Sequence, residues 1–203
     1  AAKSLGYSSL NEQTTTEGFG IAQVMQFGGR RWSSADSHLK NAIRWSNRKD
    51  KLIKHVVGAH VTKVVFNNNK VATGVEFVDA NGKKHVAHAS KEVILCAGSF
   101  NTPQLLMLSG LGPKEHLTSH GIPVLVDLPA VGKNLQDQIA VPVVFESKLP
   151  SLQTEHTLTS EAHWILFGDG PLTSPVFEAV GLLKSQPSLE HPDIQVIVAP
   201  AYY

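Results

Sequence analysis

A mixed α/β fold is predicted for this 203-residue chain by three observations. The unbroken apolar run Val93–Ala97 has two β-branched residues at its head and ends at Gly98, the pattern of a strand covered on both faces. Helix-start chemistry follows at once. Thr102 offers a side-chain oxygen as N-cap and Pro103 takes the first helical position, which predicts a short helix over Gln104–Leu108 that stops at Ser109-Gly110. Upstream, strand-like runs separated by asparagine-rich turns describe a β-meander. A buried strand feeding a glycine turn and then a helix is how α/β proteins present backbone to a cofactor, although an ordinary strand–turn–helix connection has the same local pattern.

Composition narrows the class further. With 42% hydrophobic and 17% charged residues and a formal net charge of +1, the chain is an ordinary globular sequence, long enough for one large domain or parts of two. That charge gives no reason to expect nucleic acid or an anionic membrane as a partner. The longest apolar run, Val93–Ala97, falls far short of the ~20 residues that span a bilayer. The opening Ala1-Ala2-Lys3-Ser4 shows no signal-peptide pattern. A single cysteine, Cys96, rules out an internal disulfide. Its place in the apolar run predicts a core thiol rather than a reactive one.

Within residues 1–29, the run Gly18-Phe19-Gly20-Ile21-Ala22-Gln23 is a near miss for a dinucleotide-binding glycine motif. It is rejected, because the third glycine, the preceding buried strand and the capped helix are all lacking. Arg30-Arg31 reads as a solvated face. Ser33 or Ser34 then caps a helix with Asp36 in its first turn and an apolar stripe of Leu39, Ala42 and Ile43. Lys51–Phe66 reads as strand, softly broken at Gly58-Ala59, and Asn67-Asn68-Asn69 turns the chain into Val71–Val78. Asn81-Gly82 is the strongest short hairpin signal present, and His85–Ala89 leads back toward the apolar run.

Further along, Pro113 opens a second short helix that ends near Gly121, and Ile122–Val126 is a strand. His116 and His120 stand four apart, but Leu117 occupies the place of the glutamate in a zinc-binding His-Glu-x-x-His helix. With no third ligand evident, no metal site is predicted. In the loop Val131–Gln138, Asn134 and Asp137 are suited to brace a turn through their side chains. A strand-like run, Val141–Phe145, gives way to a polar stretch, Ser147–Ser160. The turn Gly168–Ser174 then leads to Phe177–Leu183 and to a final apolar strand within Pro192–Val198.

One long motif carries a family resemblance. Gly98-Ser99-x-x-Thr102-Pro103-x-Leu105-Leu106-x-x-Ser109-Gly110-Leu111-Gly112 matches, position for position, the second signature of the glucose–methanol–choline (GMC) flavoprotein oxidoreductases. The approach Lys91-Glu92-Val93-Ile94-Leu95 and the exit Leu128–Asp137 resemble that family too. Many of its members carry His where this chain has Gln138, while the glucose-oxidase-like branch also carries Gln. The pattern Ala59-x-Val61-x-x-Val64 resembles the family segment whose valine main chain hydrogen-bonds the purine edge of the cofactor, whereas on its own Val61 reads as a core strand residue.

The resemblance implies a partial FAD-binding, Rossmann-like domain with a β-meander, plus part of an antiparallel-sheet substrate domain. Residues 1–48 would lie near the cofactor cleft, 49–140 in the FAD-binding domain and 141–203 in the substrate domain. It implies FAD as cofactor, a small-molecule alcohol substrate (alcohol, sugar or choline type), and dioxygen or another electron acceptor. Val61, Ala97 and Gly98 are the cofactor-binding residues so implied, Ala97 and Gly98 because their lack of bulk permits close approach. No catalytic residue is assigned. The family's histidine base and its amino-terminal glycine motif both find no counterpart here, so the chain resembles the middle of a family member and is expected to be inactive by itself. The alternatives are a lyase of the same fold that retains FAD, or a non-catalytic or degenerate relative.

Overall fold

The computed structural model describes residues 2–10, 17–48, 53–148 and 151–201. Lys51 and Leu52, at the head of the predicted 51–66 strand, and the terminal Tyr203 lie outside the described residues. In chain order the elements are β1 (Gly18–Ile21), β2 (Gln26–Phe27), β3 (Arg30–Arg31), α1 (Lys40–Arg48), β4 (His60–Phe66), β5 (Ala72–Val78), β6 (Lys84–His88), α2 (Gly98–Leu108), β7 (Leu111–Gly112), α3 (Lys114–Ser119), β8 (Val126–Asp127), α4 (Leu152–Glu155), α5 (Leu158–Phe167), β9 (Ala179–Leu183) and β10 (Ile194–Val198). The class is therefore mixed helix and strand, and the chain divides into two compact units, Lys54–Val141 and the combination of Ala1–Ile53 with Pro142–Tyr203.

In the Lys54–Val141 unit, β4, β5 and β6 form an antiparallel meander in that order. The Asn67 side chain makes the first turn, its Oδ1 accepting the N–H groups of Asn69 and Val71, both at 3.0 Å. Asp79 makes the second, Oδ1 accepting from Asn81 and Lys83 ahead of Gly82 at φ +78°. These Asx bonds are why polar residues in those positions reverse the chain. Helix α2 packs on β4 through buried Ser109, whose Oγ accepts the Val64 N–H at 2.9 Å. Beyond it, β7 and β8 pair in parallel, Leu111 with Val126 and Gly112 with Asp127. Val64, Leu105 and the fully buried Leu117 of α3 are the buried apolar residues among those described.

Three expectations are corrected in this unit. Val93–Ala97 forms no strand. Among the described residues no backbone ladder reaches it, Ile94 is 73% exposed and Cys96 is exposed rather than a core thiol. An apolar run states a preference for cover, but a strand exists only where a neighbouring strand takes its N–H and C=O groups. Helix α2 begins at Gly98, with Pro103 inside it. Its one missing bond would reach Ser99, a carbonyl in the first turn, so the disruption stays close to the helix start. The Ile122–Val126 strand contracts to the two residues of β8.

In the second unit, β1, β9 and β10 form an antiparallel sheet, with Gly18 opposite Leu182 and Gln195 opposite the same residue on the other side. The glycine-bearing run near residue 18 is thus a strand, as its rejection as a phosphate loop requires. A π-helical turn, Ala35–Leu39, leads into α1; Ser33 N–H and Oγ both donate to Asp36 Oδ2. Helix α5 is bounded by Thr157, which accepts from the Ser160 N–H, and by left-handed Gly168. The hairpin β2–β3 is held by Trp164, whose Nε1 donates to the Gly29 carbonyl at 3.0 Å while Arg30 lies 5.2 Å over its ring. Val141–Phe145, read as strand-like, is unpaired and exposed among the described residues, Phe145 at 82%.

Candidate functional site

Ala97 and Gly98 stand together at the start of α2. Gly98 has φ +86°, a left-handed conformation that favours glycine, and apart from its chain neighbours and the backbone of its own helix no atom lies within 4 Å of the position a Cβ would take. The space beside it is open. No side chain caps the helix at Ala97 and no acidic residue occupies the first turn, so the leading N–H groups of an 11-residue helix keep their hydrogen-bonding capacity and the positive end of its dipole. Thr102 contributes differently from the N-cap role its sequence position suggests. Its Oγ1 accepts the Ala97 N–H at 3.2 Å, fixing the residue ahead of the helix.

Val61 lies half-buried in β4, opposite Phe77. The direction of its main chain follows from the pairing. Asp79 N–H donates to Lys83 C=O, and Ala89 N–H donates to Thr73 C=O. Residues 73, 75, 77 and 79 therefore direct their hydrogen-bonding groups to β6, because these alternate along an antiparallel strand. Phe77 has none left for β4. Val61, facing it, sends its N–H and C=O away from β5, to the outer edge of the sheet, where Val64 likewise donates to Ser109. An open N–H beside an open C=O is a donor–acceptor pair suited to a planar heterocycle edge.

Two recesses adjoin these residues. One, about 590 Å³, is lined by Gly58, Ala59, His60, Val78, Asp79 and Ala80 at the start of β4. The other, about 490 Å³, runs along α2 at Ser99, Phe100, Pro103 and Met107 and is closed by the loop from Gly132 to Gln136. Phe100, Pro103 and Met107 recur at helical spacing, a signal that sequence reading passes over when the helix is started at Gln104, six residues late. Asn134 and Asp137 brace the loop as expected: Asn134 Oδ1 accepts from Gln136 Nε2, and Asp137 Oδ1 from the Gln138 N–H, both at 2.8 Å.

The three residues singled out from sequence thus share one unit but sit on two elements, Val61 on the meander and Ala97 and Gly98 at the head of α2. The bond that ties those elements, Val64 to Ser109, is at the opposite end of the helix. Among titratable groups at the recesses, Asp79 is held below the usual carboxylate range, first by its hydrogen bond with His85 and then by the Lys83 N–H. His116 and His120 meet edge to face at 4.7 Å, and among the described residues no three His, Cys, Asp or Glu side chains gather as a metal site would need.

Comparison with known proteins bears on these features. A family model described as GMC oxidoreductase matches residues 1–140. Over 202 residues, 99% of the chain is 38% identical to an uncharacterized GMC-type oxidoreductase of Mycobacterium bovis, covering 37% of that protein. An oxygen-dependent choline dehydrogenase of Rhizobium johnstonii is 39% identical over 98% of the chain and 36% of its own length. The structure superposes with a TM-score of 0.73 on an FAD-dependent oxidoreductase from Chaetomium thermophilum, 27% identical, over 90% of this chain and 33% of that one. The chain spans little more than a third of the length of the curated relatives it matches.

Proposed function

Because the chain belongs to the GMC oxidoreductase family, we propose that it forms part of the cofactor-binding wall of an FAD-dependent enzyme that oxidises CH–OH groups of alcohol, sugar or choline-type donors. The observation that carries this reading is the outward-facing main chain of Val61. Its N–H can donate to an adenine ring nitrogen, and its C=O can accept from the exocyclic amine. Gly98 fits the same cofactor, because a Cβ there would occupy space that is open, and the uncapped first turn of α2 offers N–H donors to an anionic group. Ala97, one residue ahead, adds only a methyl group.

When bound, FAD supplies the hydride acceptor, with dioxygen or another oxidant restoring it. The contribution of this chain is to hold and orient the cofactor and to keep water from it. A general base must stand within hydrogen-bond reach of the substrate hydroxyl, and in family members that role falls to a histidine in a segment without counterpart here.

The test measures flavin content of the full-length protein with Gly98 intact and as Gly98→Ala. Left-handed strain alone costs about 1–2 kcal/mol, so flavin is compared at temperatures where both proteins remain folded. The variant is expected to lose most of its flavin there; full retention overturns the role of Gly98. The 203 residues expressed alone are expected to give no dye reduction with FAD and a panel of sugars, choline and simple alcohols. Turnover abolished by replacing one of the ten histidines would place the base within this chain and overturn that expectation.

A further inference from the structure

The meander contains the feature that decides which way the main chain of Val61 points. Along β4, His60 faces Val78 and Val61 faces Phe77, and pairing then resumes with Lys63 opposite Glu76. Thr62 is the extra residue, a β-bulge in which two residues of one strand oppose one of the other. In a regular antiparallel strand, residues alternate between bonding the partner and facing away. Val64 faces away, toward Ser109. Regular alternation from Val64 would send Thr62 outward and turn Val61 inward, into the ladder with β5. The inserted residue reverses that outcome, so Val61 and Val64 both open on the outer edge.

The bulge is fastened by a side chain. Thr62 Oγ1 lies 3.1 Å from Glu76 Oε1 and 3.3 Å from the Glu76 carbonyl, with both residues half-buried. Strand β5 is held independently on its other side. Phe77 stacks on His85 at 5.2 Å and 21°, and His85 Nε2 lies 2.8 Å from Asp79 Oδ2. Loosening the bulge therefore shifts β4 against a fixed neighbour.

We propose that Thr62 and Glu76 are positioning residues for adenine recognition, acting through Val61: the bulge they stabilise aims the Val61 N–H and C=O at the purine edge of the cofactor. The inference rests on the reading of Val61 given under the proposed function. Neither residue is asked to touch the ligand, and the side chain of Val61 is not asked to either.

The test titrates FAD and, separately, FMN into the full-length apoprotein and follows flavin fluorescence. FMN carries the same flavin without adenine, so the ratio of the two affinities reports the adenine end. Thr62→Val replaces the hydroxyl by a methyl group and is expected to lower the FAD:FMN ratio about tenfold, the worth of roughly one hydrogen bond. Thr62→Ser is expected to restore it. Melting of each apoprotein identifies any variant that fails to fold, and the valine and serine pair then decides. A wild-type protein without preference for FAD over FMN overturns the adenine reading and this proposal together. A wild-type preference that persists in Thr62→Val overturns the proposal alone.

Discussion

Ser109 shows how much a single polar side chain carries in this structure. It is 4% exposed, its Oγ donates to the Leu105 carbonyl at 2.6 Å, and it accepts the Val64 N–H from a strand 45 residues earlier. Replacing it by alanine leaves that N–H buried without a partner. Ser109→Ala is expected to cost about 1–3 kcal/mol, read from the urea midpoint of the Ser109→Ala chain against wild type at unchanged slope. No change in midpoint would show that water replaces the hydroxyl. In the sequence Ser109 is visible only as the end of a helix, beside Gly110. Its second partner is invisible there, because nothing local marks which strand will lie against a helix end. Val61 is a similar case. Its membership of a strand is legible, whereas the direction of its main chain depends on a one-residue register shift that hydropathy does not record.

At the level of elements, turns and hairpins were legible and isolated strands were not. Asn67, Asp79 and Gly82 set the turn geometry through side-chain bonds and a left-handed φ, so the order of the meander could be drawn from sequence, although its first strand, read as Lys51–Phe66, begins only at His60. Val93–Ala97 and Val141–Phe145 could not, since their apolar residues specify burial without specifying the neighbour that supplies it. The second hairpin also responds to acid. The Asp79 carboxyl is held below its ordinary range by His85 and by the Lys83 and Asn81 N–H groups. A carboxyl depressed in the folded state stabilises above its unfolded pKa of about 3.9 and loses that contribution as pH falls through the folded value. The β5–β6 hairpin is therefore expected to hold full protection above about pH 5 and to weaken below about pH 4. Asp79→Asn should flatten that dependence in amide-exchange measurements. A variant that keeps the wild-type acid profile would assign the loss to another group.

For the molecule as a whole, the order of segments along the chain matters as much as the contacts they make. Lys54–Val141 is continuous, while its companion unit is assembled from Ala1–Ile53 and Pro142–Tyr203. Within the first, each strand of the meander pairs with the next along the chain. Within the second, Gly18 of β1 finds Leu182 of β9 some 160 residues later. Ribosomes add about 5–20 residues each second, so β1 waits on the order of 8–30 s for its partner to be made. During that interval Phe19, Gly20 and Ile21 lack the strand they pair with, and contacts so distant in sequence form slowly even in the finished chain. Pulse-labelled exchange during refolding is expected to protect β4 and β5 before β1 and β9; simultaneous protection would mean the two units fold as one. In time, then, the meander completes its pairing first each time the chain is made, while β1 waits for β9.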